Sequence, residues 1–120
     1  MLSQNEKGNV ILFASNQSLE INVVDIEILI DGKIAVKSEF AVAGNQLPQH
    51  NWRQFRFQLE RGIHSIVISS KKGNARLERE FRVSGSHTAY IAYWYDMNNQ
   101  KMSSKKYFTF TISDKSPAYM

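Results

Sequence analysis

The side chains best equipped for chemistry in this chain are aromatic: Trp52 and, within one short stretch, Tyr90, Tyr93, Trp94 and Tyr95. In a strand, side chains alternate between faces. Tyr90, Ala92 and Trp94 therefore share one face, and Ile91, Tyr93 and Tyr95 the other. Isoleucines elsewhere in the chain mark core faces, so with Ile91 inward, Tyr90 and Trp94 turn outward. Exposed flat aromatics on a sheet give sugars a stacking surface and give protein partners anchor residues. Arg56 and the loop residue His50 are expected to flank them, which makes His50, Trp52, Arg56, Tyr90 and Trp94 the candidate contact set. Packing alone also favours aromatics in strands. The same rings would serve equally to complete a core, or to cover a sheet face beneath the loops at 43–51 and 97–106.

Catalysis finds less to work with. The chain has no cysteine, which excludes disulfides, thiolate zinc sites, iron–sulfur clusters and cysteine nucleophiles. His50, His64 and His87 show no i, i+4 spacing on a helix, and no metal or cofactor is expected. A glycosidase needs two carboxylates about 5–10 Å apart across a cleft, but Asp25, Glu27 and Glu78 alternate outward as on a solvated face. Asp31 has a turn to make. No nucleophile elbow, phosphate-binding glycine loop or dinucleotide fingerprint is present. The chain is expected to be non-catalytic.

Charge narrows the partners. The formal net charge of +4 is spread among acids and bases, as in Arg76, Glu78, Glu80 and Arg82, and the densest basic cluster, 101–106, holds three lysines. Nucleic-acid binding wants basic residues interleaved with exposed aromatics. Here Arg53 and Arg56 flank Phe55 and Phe57, whose phase is that of a core, so no nucleic acid is expected. A protein partner or self-association comes first, and a glycan is the alternative. No apolar run approaches the roughly 18–20 residues of a membrane span, and Met1 to Lys7 lacks the pattern of a signal peptide. A polar lead of this kind also follows cleavage sites in exported proteins.

The elements that must position these side chains are strands. Val24, Ile26, Ile28 and Ile30 alternate with Asp25, Glu27 and Leu29 and run into Asp31-Gly32, a strong hairpin signal. Before them, Val10 to Phe13 suits a first strand, and Leu19, Ile21 and Val23 change phase at Val23-Val24, as at a bulge. After the turn come Ile34 and Val36 on one face, then Phe40 and Val42, then a long break at residues 43–51 containing Pro48. Phe55, Phe57 and Leu59 form the next face, followed by His64, Ile66 and Ile68, then Leu77, Phe81 and Val83. Thr88 to Tyr95 is apolar on both faces, the mark of a central strand. A long polar loop is expected from Asn98 to Lys106, before a last strand carrying Phe108, Phe110 and Ile112. These features specify an all-β protein, an antiparallel two-sheet sandwich of seven to nine strands, immunoglobulin-like rather than a barrel. Residues 1–8 form a frayed polar lead, 9–113 one domain and 114–120 a loose tail.

Two stretches resemble a known family. Ile28-Leu29-Ile30-Asp31-Gly32-Lys33, followed by Leu59-Glu60-Arg61-Gly62-Ile63-His64-Ser65-Ile66-Val67-Ile68, resemble the small bacterial immunoglobulin-like modules typified by the PEGA domain. The likeness spans about residues 24–83. Where that family has Pro-Glu-Gly-Ala, this chain has Gly44-Asn45-Gln46-Leu47-Pro48. The resemblance implies an exported bacterial protein, in the periplasm, at the cell surface or secreted, and a role in interaction or structure rather than catalysis. It also places the His64 ring on the core or at its rim.

Overall fold

The alternating segments become eight strands, and the computed structural model describes residues 2–18, 23–41, 52–98 and 103–113. In order they are β1 (Val10–Asn16), β2 (Val23–Ile30), β3 (Lys33–Ala41), β4 (Arg53–Phe57), β5 (Gly62–Ser70), β6 (Ala75–Val83), β7 (His87–Asn98) and β8 (Ser103–Ser113). They form two four-stranded sheets, ordered β4-β1-β7-β8 and β3-β2-β5-β6, the two layers of a sandwich. All pairings are antiparallel except that of β1 with β7. The described residues contain no helix. The break at 43–51 with His50, the phase-change residues Leu19 and Ile21, and the tail at 114–120 lie outside the described residues.

The core forms where the two inner faces meet. Val24, Ile26, Ile28 and Ile30 of β2, with Ile66 and Ile68 of β5, face Val10, Leu12 and Ala14 of β1, Phe57 of β4 and Ile91 and Tyr93 of β7, all essentially inaccessible to solvent. Burying each large apolar side chain contributes about 1.5–3 kcal/mol. Asp31 and Gly32 both take positive φ, 52° and 78°, the conformation that lets a two-residue turn follow the strands' twist.

Three local features differ from the sequence expectation. First, Ile28 pairs with Val36 but Leu29 pairs with Ile34, so Ala35 is an extra residue in β3. The bulge brings Ala35 and Val36 inward together and leaves Ile34 half-buried. Second, the loop expected from Asn98 to Lys106 is strand at both its ends: β7 and β8 stay paired out to Asn98 and Ser103. Beyond Tyr93, β7 pairs with β8 alone. A two-stranded ribbon satisfies its backbone groups by pairing, so it does not need apolar side chains to form. Third, residues 2–8 dock instead of fraying. Leu2 N–H donates to the Ile34 carbonyl (2.8 Å) and Asn5 N–H to the Arg56 carbonyl (2.9 Å), while Leu2 packs on the core. Gly8 makes this approach possible, since a Cβ there would lie 2.2 Å from the Phe57 carbonyl oxygen.

Polar side chains tie the layers together. The buried Tyr93 hydroxyl crosses from β7 to donate to the Gly73 carbonyl (2.7 Å) in the β5–β6 turn. That turn is held by Asp25 of β2, whose carboxylate accepts from Ser70 Oγ (2.9 Å) and from the amides of Lys71 (3.0 Å) and Lys72 (2.9 Å). Partial burial opposes the charge on Asp25, but these donors outweigh it and hold the carboxyl below its usual pKa. On the opposite side, the Arg53 guanidinium donates to Ser38 Oγ (3.1 Å) and the Glu39 carbonyl (3.0 Å) while lying 4.4 Å from the Phe40 ring centroid. Asn9 joins two connections by donating to the carbonyls of Leu59 and Gly85 and accepting from Leu59 N–H.

His64 sits at the rim, stacked on Phe81 with ring centroids 5.7 Å apart. Its Nδ1 lies 2.5 Å from Asp31 Oδ2 and its Nε2 lies 2.6 Å from the Glu60 carbonyl. A carboxylate and a carbonyl both accept, so this geometry favours the imidazolium form, in which both ring nitrogens donate. Partial burial disfavours that charge, but the Glu60 carbonyl and the Asp31 carboxylate more than compensate, and the His64 pKa lies above its ordinary value. For Asp31, burial is likewise outweighed by His64, the Ser65 amide and Lys33, and its pKa is lowered.

Two predictions follow from these ties. Tyr93→Phe leaves the Gly73 carbonyl without its buried donor and is expected to cost about 1–3 kcal/mol in urea unfolding. Because the folded-state pKa of His64 is raised, its contribution is complete below the unfolded value of about 6.5 and disappears as pH rises through the folded value. Because that of Asp31 is lowered, its share is present above its usual carboxylate value and disappears as pH falls through the folded one. The stability advantage of wild type over His64→Gln, measured by urea unfolding from pH 5 to 9, is expected to shrink steadily with rising pH. A difference independent of pH would show that the ring is neutral.

Candidate functional site

Strand pairing builds the site on the outer face of the β4-β1-β7-β8 sheet. Gln54, Phe13, Tyr90 and Thr111 form one cross-strand row. Ser15, Ala92 and Thr109 form the next, and Trp94 faces Tyr107 beyond it. Arg56, Ile11, Thr88 and Ser113 form the row on the other side. As expected, Ile91 is inward and fully buried, while Tyr90 faces out and remains 39% exposed.

Tyr90 is the centre of an aromatic cluster. Phe13 stacks against it with centroids 5.3 Å apart and planes 15° from parallel, and Trp52 meets it edge-on at 5.6 Å and 84°. Nearly parallel rings this close must overlap in an offset stack. Tyr90 and Phe13 therefore each spend one ring face on the other. Trp94 is half-buried, and its Nε1 donates to Thr109 Oγ1 (3.2 Å), which leans the indole back toward the Ala92 row.

The five expected contact residues are thus distributed unevenly. Trp52 and Tyr90 touch, and Trp94 stands two rows beyond Tyr90 along the same face. Arg56 has structural partners: its Nε donates to the Gly8 carbonyl (2.7 Å) and its amide to Gln4 Oε1 (3.3 Å), which fastens the lead to β4. His50 lies outside the described residues. Phe13, at the heart of the cluster, was not among the candidates. Its signal was the unbroken apolar run Val10-Ile11-Leu12-Phe13, which in a strand must place apolar side chains on both faces. Tyr93, attractive from its place among the aromatics, is buried and bonded, and burial pushes its phenol pKa up.

The other sheet presents a contrasting exterior. Its solvent face carries Asp25, Glu27, Lys37, Glu39, Arg76, Glu78, Glu80 and Arg82, with ion pairs Lys37–Glu27 (3.9 Å) and Arg76–Glu78. Exposed pairs of this kind add little stability. His87 is buried and structural: Ser84 N–H donates to its Nε2 (3.0 Å), so Nδ1 carries the proton and donates to the Ser113 carbonyl (3.1 Å). Among the described residues, no group of three or more His, Asp and Glu could hold a metal ion. Nor is any described helix long and apolar enough to cross a membrane.

No protein-family model matches the chain, and neither does any curated protein or solved structure.

Removing the Arg56 guanidinium separates the lead from the aromatic face. Arg56→Ala is expected to cost about 1 kcal/mol and to speed hydrogen exchange at Asn5 and Gly8, while leaving the fluorescence of Trp52 and Trp94 unchanged. A shifted tryptophan spectrum would show that Arg56 also shapes the cluster.

Proposed function

We propose that this chain is a non-catalytic interaction module that binds a protein partner through the outer face of the β4-β1-β7-β8 sheet. The observation that carries this reading is the Phe13–Tyr90–Trp52 cluster, partly exposed on rows that hold no charged residue. Aromatic groups presented on a rigid sheet lose little side-chain entropy when a partner covers them, and such residues dominate interface energetics. Trp94 extends the surface along β7, and the Tyr90 hydroxyl gives it a polar handle. The mutual stacking of Tyr90 and Phe13 supports a protein partner over a sugar, because it takes up one face of each ring that a pyranose would otherwise stack on. The likeness of residues 24–83 to PEGA-type modules supports a place in an exported bacterial protein at the envelope.

The test is a pull-down with the purified domain from envelope and cytosolic extracts of its source, repeated with Tyr90→Ala and Trp94→Ala after circular dichroism shows each variant folded. The expected result is a specific envelope protein, retained by wild type and reduced at least tenfold by Tyr90→Ala. Retained glycan without protein, with tryptophan quenching on titration with that polysaccharide, would replace this reading with sugar binding. Capture of the same protein by wild type and both variants would move the interface off this face.

A further inference from the structure

A sheet's edge strands expose unpaired backbone groups, and natural proteins blunt them with bulges, charges, short strands or covering segments. Three of the four edges here are blunted. β3 carries the bulge at Ala35, accepts the Leu2 amide on its Ile34 carbonyl and receives Arg53 on its Glu39 carbonyl. β4 has only five residues, and Arg56 within it bonds the lead through both backbone groups. β6 is long, but its solvent face reads Arg76, Glu78, Glu80, Arg82.

Among the described residues β8 shows no bulge and no covering segment, and its two charges, Lys105 and Lys106, lie toward one end. It is an edge strand eleven residues long, paired with β7 without a register shift. From Tyr107 to Ser113 it contains no charge, proline or glycine, and its residues are strong strand formers. Phe108, Phe110 and Ile112 point inward, but Phe110 and Ile112 are only partly buried, while Thr109 and Thr111 are exposed.

We propose that β8 pairs with β8 of a second copy of this chain, antiparallel about a two-fold axis at Phe110, joining two four-stranded sheets into one of eight. The sequence Phe108-Thr109-Phe110-Thr111-Ile112 is self-complementary under that operation. Phe108 of one copy faces Ile112 of the other, Thr109 faces Thr111, and Phe110 faces Phe110. Every pair joins apolar to apolar or threonine to threonine, combinations that stabilise cross-strand neighbours. The pleat is also preserved, so the partly buried Phe110 and Ile112 are covered from the side. β6 fails the same operation. A two-fold at Arg79 sets Arg76 against Arg82 and Glu78 against Glu80, like charges in both outer pairs. An isologous pairing of this kind closes at two copies and leaves no further β8 edge to recruit a third.

The test is sedimentation equilibrium from micromolar to several hundred micromolar chain, where wild type is expected to show a concentration-dependent dimer. Thr109→Lys/Thr111→Lys opposes lysines in both outer pairs and is expected to weaken association at least tenfold. Thr109→Glu/Thr111→Glu should do the same, and an equimolar mixture of the two variants should recover a dimer through opposite-charge pairs. A second measurement covers the loss of the Trp94–Thr109 bond in these variants. In wild type, the amides of residues 108–112 should gain hydrogen-exchange protection with rising concentration, and those of β6 should not. A monomer at every concentration, a Lys/Lys variant that dimerises like wild type, or protection gained on β6 instead would each overturn the proposal.

Discussion

The structure depends on how closely Tyr93 approaches Gly73. Apolar packing is non-directional, so specific bonds must set how one layer sits on the other. The Tyr93 hydroxyl does this by reaching across the core to the Gly73 carbonyl. Only glycine allows it, because a Cβ at position 73 would lie 2.7 Å from the Tyr93 ring. The turn is in turn fixed by Asp25, whose carboxylate collects the Ser70 hydroxyl and two backbone amides. One hydrogen-bonded chain therefore runs from β2 through the β5–β6 turn to β7, where it holds the strand whose opposite face carries Tyr90 and Trp94.

That anchoring matters to the outer face. In a strand, the residue next to a fixed inward side chain is itself fixed outward, so Ile91 and Tyr93 determine where Tyr90, Ala92 and Trp94 stand. The aromatic cluster is preorganised by its support in the core, which is the condition for a sheet surface to bind without a large ordering cost. The charged exterior of the second sheet keeps that side solvated. The two faces thus differ in chemistry: one presents aromatic side chains and the other charged ones.

The sequence made the core and the architecture legible because those depend on period. Alternation marked β2, β5 and β6, and Asp31-Gly32 marked the hairpin through the positive φ that both residues adopt. The same period put Tyr90 and Trp94 on one face and Ile91 and Tyr93 on the other, and the burial of Ile91 and Tyr93 turns the first face outward. What stayed hidden required contacts distant in sequence. Ala35 turned inward because of a bulge that exists only in the pairing of β2 with β3. Arg56 was expected at the contact surface, but it binds the Gly8 carbonyl, 48 residues away. Residues 98–106 read as a polar loop by composition, but β7 and β8 extend into that stretch because they pair with each other there.

Sequence alone determined which side chains share a strand face and that the chain folds as two packed sheets, because a pleated strand has one period and its apolar face must be buried. Tertiary structure decided which strands became neighbours. It therefore decided that Phe13 from β1 meets Tyr90 from β7, that Trp52 meets the edge of Tyr90, and that β8 ends up at an edge. Adjacency in a sandwich is set by how connections cross between layers and by a few buried polar bonds, and neither leaves a periodic trace in the chain.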